Sequence, residues 1–431
     1  MAASALETSA DRRTLIKSFV AWKIFLLAIA LGSSTTPSYD TSTSLALSLP
    51  PDHISSSSAS RPEPSLSWTD ILAVRLTRWD AIYFTQSANR GYVFEQEWAF
   101  GYGMPLVVSK LILPVAARLG LASSSSVKSA ALAAIFVSHL SHLATVLLFY
   151  TLTRRLFPNR GRLAVTAALL HVVSPAGLFL SAPYAESLFA CLSFAGYVIY
   201  ISSAPEPSKA PTFLHGISLI LSGAVFGLAT VCRSNGILNG TIFVTELVAA
   251  LHVFVLSPRL TTALAAAAYL RYCSDASGSG GMRPWCGQLV PSIYNFVQEY
   301  YWNTGFLRYW TPGNIPLFLL ALPMLGLMFT SSYTFAAPLV TKVGSLDTMS
   351  PSNRLLLSLS IGQGLLALLA FTSYHVQIIS RLSSAYPIWY LWVAQSLSSK
   401  AAGNFPRHVV MYMVLYATIQ GVLFASFLPP A

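Results

Sequence analysis

What most limits this chain is a series of apolar runs, many close to the roughly 20 residues that a helix needs to cross a hydrocarbon core. The strongest extends from Ala130 to Leu156 and closes on Arg154, Arg155, Arg160 and Arg162. Others are Phe19–Leu31, Leu163–Leu180, Ser187–Ile201, Phe213–Val231, Ile237–Leu256, Ile315–Thr330, Leu355–Tyr374, Pro387–Leu397 and Val409–Phe427, with Thr261–Tyr272 short for a crossing. Charged residues make up only 10% of the chain, against about a quarter in soluble domains. The expectation is an all-α polytopic membrane protein with roughly ten or eleven transmembrane helices. The net charge of +11 then belongs to short basic loops on one side of the membrane. A nucleic-acid partner would need Lys and Arg clustered on a soluble scaffold, and no such stretch exists.

Charge asymmetry sets the topology. Arg12, Arg13, Arg154, Arg155, Lys209, Arg259, Lys342, Arg354, Lys400 and Arg407 share one side if Pro105–Leu121, with its Lys110, Pro114 and Arg118, lies in the interface instead of crossing. That side is the cytosol. Phe19–Leu31 reads as an uncleaved first helix, with a signal peptide as the alternative because Lys23 shortens its apolar core. The chain divides into a cytosolic tail and first helix (1–31), a Ser/Thr/Pro-rich disordered loop open to O-glycosylation (32–67), and a loop with amphipathic helices (68–128). Helices two to seven (129–277), an aromatic loop (278–313) and C-terminal transmembrane helices (314–431) follow.

The stretch Trp68–Pro105 carries the most chemistry. Asp80, Glu95 and Glu97 are interleaved there with Trp79, Tyr83, Tyr92, Trp98, Phe100 and Tyr102. Aromatic faces pack on pyranose rings while a carboxylate takes a hydroxyl proton. Trp68, Leu72, Leu76, Trp79 and Tyr83 also fall on one helical stripe, which predicts an interfacial helix with Asp80 beside a cavity. Ile293, Phe296, Val297, Tyr300 and Tyr301 predict a second interfacial helix.

The topology places Asp80, Glu95, Glu97, Tyr184, Glu186, Arg233, His375, Gln377 and Arg381 on the face opposite the basic loops. A helix-dipole contact explains Glu186 nearly as well as substrate does, and Arg233 either snorkels or pairs with Glu186. Arg381 and His375 suit phosphate binding, or anchor the interface. Glu246 lies mid-membrane and is expected to be paired or protonated. Of four cysteines, Cys191 and Cys232 read as buried apolar groups, and Cys273–Cys286 forms a disulfide if its loop faces an oxidising lumen. No zinc spacing occurs. Asn239, Gly240 and Thr241 form a sequon too close to a helix for confident use.

These residues carry a family resemblance. Arg78–Phe84 with Gly91, Tyr92 and Trp98–Pro105 resembles the first luminal loop of the PIG-V family of GPI mannosyltransferases. Ser174–Ala176 with Tyr184, Glu186 and Phe189 is similar to its next signature, as are Arg233–Gly236 and Pro284–Cys286. Tyr301–Leu307 with Pro316–Pro323, and His375–Arg381 with Ser383, Ser384 and Pro387, continue the match in order. The Ser/Thr-rich insert before Trp68 departs from the pattern, and Leu256–Tyr272 is shorter than the family's helix pair there.

The resemblance implies a GT-C fold and an endoplasmic reticulum enzyme with a luminal site. It would transfer the second mannose, α-1,6-linked, from dolichyl-phosphate mannose to a mannosylated GPI lipid precursor. That lipid donor is a substrate, and neither cofactor nor metal is implied; a small accessory membrane subunit is a further expected partner. Inversion at the sugar carbon assigns Asp80 as base, Glu97 as orienting the acceptor, and His375 and Arg381 as holding the departing phosphate. Arg78, Trp79, Tyr83, Tyr184, Glu186, Arg233, Asn235, Trp302, Asn303 and Gln377 are the remaining substrate-binding candidates. Another transferase using a dolichyl-phosphate sugar on an N-glycan or protein is the alternative. A lipid or sugar transporter fits less well, because the polar residues gather on one face.

Overall fold

Long apolar helices dominate the computed structural model, which describes residues 2–35, 39–48, 66–121, 126–204, 212–250, 273, 284–287, 293–341 and 349–428. The principal helices are α1 (Ala2–Gly32), α2 (Trp68–Leu76), α3 (Ala81–Arg90), α4 (Val127–Leu156), α5 (Gly161–Val172), α6 (Glu186–Ser203) and α7 (Phe213–Cys232). After them come α8 (Thr241–Ala250), α9 (Ile293–Trp302), α10 (Ile315–Val340), α11 (Pro351–Thr372), α12 (Pro387–Leu397) and α13 (Phe405–Ala425). No strand occurs among the described residues. Each of α10 to α13 opens with a proline in its first turn, where the missing N–H costs no hydrogen bond.

Seven helices among the described residues are long and apolar enough to cross a membrane: α1, α4, α6, α7, α10, α11 and α13. Three other expected crossings are present as shorter pieces. Leu163–Leu180 breaks into the 12-residue α5 and a single turn, Gly177–Leu180, with Pro175 between them. Ile237–Leu256 begins as a 3-10 segment, Ser234–Gly240, before α8. The third, α12, has 11 residues. Thr261–Tyr272, Lys209, Arg259 and Lys342 lie outside the described residues.

Outward faces are apolar, as lipid requires. Phe213, Ile217, Ile220 and Leu228 on α7 are exposed, as are Met411, Leu415, Ile419 and Val422 on α13. Inside, α4, α5, α6, α11 and α12 bury Phe149, Leu170, Phe194, Leu366, Trp389 and Tyr390 in one core. Gly196 lets the Phe226 ring lie directly on α6, since a Cβ there would overlap that ring.

Because α12 starts inside the protein, its first amides need partners. Gln363 of α11 supplies one: its Oε1 accepts from Trp389 N at 3.1 Å. Its Nε2 donates to Ser331 Oγ and Ser332 Oγ at 2.9 and 3.0 Å. Glu246 is paired, as expected, accepting from Arg354 Nη1 at 3.2 Å and from the Tyr200 hydroxyl. Asn239 is buried and bonded to Ser193 and Tyr197, so the folded sequon is not open to glycosylation.

Two local expectations need correction. Trp68–Phe84 is not one helix: α2 ends at Leu76, and Trp79 takes φ 56° before α3 begins. A left-handed residue cannot continue the helix and re-aims the next one. The expected stripe therefore splits, with Trp68 72% exposed and Leu76 fully buried. Residues 32–67 are also not uniformly unstructured. Ser42–Ala46 is a helical turn whose Thr43 hydroxyl donates to the Thr77 carbonyl at 2.7 Å, and Leu47 packs on Ala73, Val74 and Ala131. Residues 49–65 of that segment lie outside the described residues.

Removing one partner of the Glu246–Arg354 pair leaves an uncompensated charge in a low-dielectric surround, at a cost of about 3–5 kcal/mol. Glu246→Ala is expected to lower the amount of protein in membranes, and Glu246→Ala/Arg354→Ala to recover part of it. Quantitative immunoblotting of the membrane fraction checks this.

Candidate active site

Where α3, α6 and α7 end on the same face, with the 375–382 connector, they enclose a cavity of about 190 Å³. Drug-sized sites run to about 300–1,000 Å³, so this one is on the scale of a single sugar ring. The break at Trp79 delivers Asp80 to the start of α3. Its carboxylate makes no capping bond to the helix, and it faces the cavity.

Asp80 accepts from Arg381 Nη2 at 3.1 Å. Arg381 Nε lies 3.6 Å from Glu186 Oε1, and Arg233 Nη1 reaches the same oxygen at 2.7 Å. The result is a chain of alternating charge: Asp80, Arg381, Glu186, Arg233. Glu186 is 1% exposed and sits behind the two arginines at the N-terminus of α6, where the helix dipole also favours an anion. Arg381 lies over the Phe179 and Tyr184 rings, at 5.2 and 5.4 Å. Burial alone would lower the Arg381 pKa, but the Asp80 and Glu186 carboxylates beside it raise the value above the usual arginine range. It stays cationic. Burial, then the Asp80 charge, raises the Tyr184 pKa, so its hydroxyl stays protonated and donates to the Arg78 carbonyl at 3.1 Å.

Across the cavity the wall is neutral and aromatic: Phe84, Phe100, Trp302, Tyr374, Asn235, Gln298 and Thr304. Phe100 meets Trp302 edge-on at 5.6 Å. His375 Nε2 donates to the Trp302 carbonyl at 3.0 Å, and its ring stacks on Tyr309 at 4.7 Å. Asn235 Nδ2 donates to the Tyr386 hydroxyl at 3.1 Å and its Oδ1 accepts from Arg233 Nε at 3.4 Å. The second expected interfacial helix is α9. Its buried Val297 packs with Trp98, Ala99 and Cys286, and Cys286 is disulfide-bonded to Cys273.

Of the residues expected at the site, Asp80, Tyr184, Arg233, Asn235, Trp302, His375 and Arg381 line the cavity, with Glu186 directly behind. The others do not. Glu97 is 1% exposed and committed to its own loop: it accepts from Val93 N and Phe94 N at 2.7 and 3.0 Å and is gripped by both terminal nitrogens of Arg90. That geometry makes it a staple of its own loop, outside the cavity lining. Arg78 and Trp79 point away, onto Phe427. Tyr83 stacks on the Phe100 ring at 4.8 Å as a support for the wall. Asn303 takes φ 49° after the end of α9, the left-handed terminating position that asparagine tolerates. Gln377 accepts from the Tyr309 hydroxyl at 3.1 Å, outside the cavity.

Gln298 and Tyr374 line the cavity without having been singled out, and Ser234 and Thr304 do so from within the motifs quoted above. The apolar stripe of α9 masked Gln298, although its place between stripe residues was the available signal. Gly101 is a second case. A Cβ there would overlap the Cys232 carbonyl, so only glycine lets the Phe100 wall sit against the end of α7 beside Arg233. Gly101→Ala is expected to lower turnover by about tenfold or more through this displacement. Gly240→Ala, with nothing within 4 Å, leaves turnover unchanged. Rates per amount of membrane protein decide.

The family model described as Mannosyltransferase (PIG-V) matches residues 12–431. A GPI mannosyltransferase 2 of Gibberella zeae is 44% identical over 442 residues, covering 97% of each chain. That of Chaetomium globosum is 44% identical, covering 97% of this chain and 96% of its own. That of Candida albicans is 29% identical, covering 97% and 99%. Among solved structures, an Archaeoglobus fulgidus oligosaccharyltransferase tethered with an acceptor peptide aligns with a TM-score of 0.43 at 15% identity. The alignment covers 94% of this chain and 55% of that one, so the chain spans about half of its length. On the family match and the near full-length relatives, this chain belongs to the PIG-V family of mannosyltransferases.

Proposed function

We propose that the chain is a GT-C-type enzyme of the endoplasmic reticulum that transfers the second mannose, in α-1,6 linkage, from dolichyl-phosphate mannose to a mannosylated GPI lipid precursor. The acceptor class comes from the relatives, whose names state GPI mannosyltransferase 2. The observation that carries the chemistry is Asp80 facing a sugar-sized cavity while sharing Arg381 with Glu186. A luminal site is supported by the Cys273–Cys286 disulfide packed beside Trp98 and Ala99, since disulfides persist in oxidising compartments.

In this reading the acceptor's primary hydroxyl oxygen attacks the anomeric carbon from the face opposite the phosphate. The bond from that carbon to the phosphate oxygen breaks, the phosphate keeps the electron pair, and the hydroxyl proton passes to Asp80. Arg381 and Arg233 face the charge that develops on the phosphate. Donor phosphate and Asp80 compete for Arg381, so binding the donor releases the carboxylate to act as base. Glu186 keeps both guanidinium groups aimed at the cavity. His375 orients Trp302 through its carbonyl, and Trp302 offers a ring face or edge to the sugar.

Asp80→Asn in cells lacking the endogenous enzyme is expected to lose about 10²–10⁴-fold in transfer rate and to accumulate the one-mannose GPI lipid. Normal surface display of GPI-anchored proteins with that variant removes Asp80 from the mechanism. Arg381→Ala is expected to raise the apparent KM for dolichyl-phosphate mannose about tenfold or more, since a charged hydrogen bond contributes roughly 1.5–3 kcal/mol. An unchanged donor KM retires the phosphate assignment.

A further inference from the structure

Asp80 has no capping bond to α3, and its hydrogen-bond partner Arg381 is the group that the proposed mechanism takes away from it. Its aim therefore depends on the backbone just before it. Arg78 is fully buried, and its guanidinium carbon lies 5.1 Å from the centre of the Phe427 ring. The Trp79 ring contacts the same ring, 5.0 Å between centres. One phenyl group thus contacts both side chains that lead into Asp80, while the Tyr184 hydroxyl holds the Arg78 carbonyl at 3.1 Å.

The turn carrying Phe427 is itself fixed from several sides. Phe427 N donates to the Phe424 carbonyl at 3.1 Å, Arg75 Nη1 to the Ala425 carbonyl at 3.3 Å, and Tyr39 N to the Ser426 carbonyl at 3.2 Å. Phe427 is 6% exposed and takes φ 60°, while Trp79 takes φ 56°. Phe427 occupies the left-handed position that ends α13, where Leu428 N donates to the Leu423 carbonyl at 2.9 Å, so the helix end fixes where its ring sits. Trp79 takes the same region between α2 and α3, against that ring.

We propose that Phe427, in the turn after α13, is a positioning residue for Asp80, acting through the Arg78–Trp79 backbone; this rests on the reading of Asp80 as the base. The ring contributes a flat face that takes a guanidinium and an indole together, which an aliphatic group of similar size does not provide. Its effect therefore falls on the chemical step and leaves substrate binding alone.

The test uses the full chain in membranes from cells lacking the endogenous enzyme, with dolichyl-phosphate mannose and the GPI lipid acceptor. Phe427→Leu is expected to lower kcat on the order of 10- to 100-fold with donor and acceptor KM within about twofold, and Phe427→Tyr to restore kcat. Combined with Asp80→Glu, whose carboxylate is already displaced, the losses should fail to multiply. Wild-type kcat in Phe427→Leu, a loss carried by KM, or losses that multiply would each overturn the proposal. Should Phe427→Leu not accumulate, Phe427→Met is read in the same way; absence of both from membranes makes Phe427 a folding residue and also overturns it. Full activity in Asp80→Asn sinks the base reading, whereas an active Phe427→Leu beside an inactive Asp80→Asn sinks only the positioning role.

Discussion

A carboxylate with almost no solvent has to be answered by charge, and Glu186 is that carboxylate. Arg233 comes from the residue after α7, and Arg381 from the connector between α11 and α12. Neither lies near Glu186 in sequence. Meeting its need brings the N-terminus of α6, the C-terminus of α7 and the 375–382 connector to one point, and Asp80 joins by sharing Arg381. The cavity is the space left between these ends and the aromatic wall facing them. The ion chain thus ties this face together, and Asp80, Arg381 and Arg233 of it line the cavity.

A membrane-embedded chain normally avoids irregular backbone, because unsatisfied amides are costly without water. Here the irregular pieces collect around the site, and side chains meet several of their backbone groups. Gln363 takes the amide of Trp389 at the buried start of α12. Ser138 and Ser187 donate to the Ala182 and Leu180 carbonyls beside the Tyr184 turn, and Lys23 donates to the Leu180 carbonyl and Ser181 hydroxyl. Short helices ending mid-protein are therefore part of how the chain delivers side chains to one level. Three uninterrupted crossings in their place would carry those residues past it.

Much of this was legible. Hydropathy gave the long helices, and the asymmetry of Lys and Arg put Asp80, Glu186, Arg233, His375 and Arg381 on a common face. Glu97, Arg78, Trp79 and Tyr83, candidates from the acid and aromatic stretch and the resemblance, do not line the cavity. Acids among aromatics look alike whether a carboxylate faces a sugar or the backbone amides of its own loop, as Glu97 does. Trp79 defeated the stripe argument because helical periodicity assumes continuity, and one left-handed residue resets the phase. Gln298 was hidden by an apolar pattern that described the buried face of α9 and said nothing of its polar edge.

The sequence by itself determined the solvent this protein needs, the family it belongs to and a set of ionisable groups expected to share one face. These follow from one-dimensional quantities: run length, charge placement and ordered motifs. Tertiary structure decided which acid meets which base. Asp80 and Arg381 lie 301 positions apart, and whether they pair depends on an orientation set by the break at Trp79 and the seat at Phe427. In a low-dielectric surround, ångström differences choose between a paired charge and an intolerable one. Distances of that order exist only once the helices have packed.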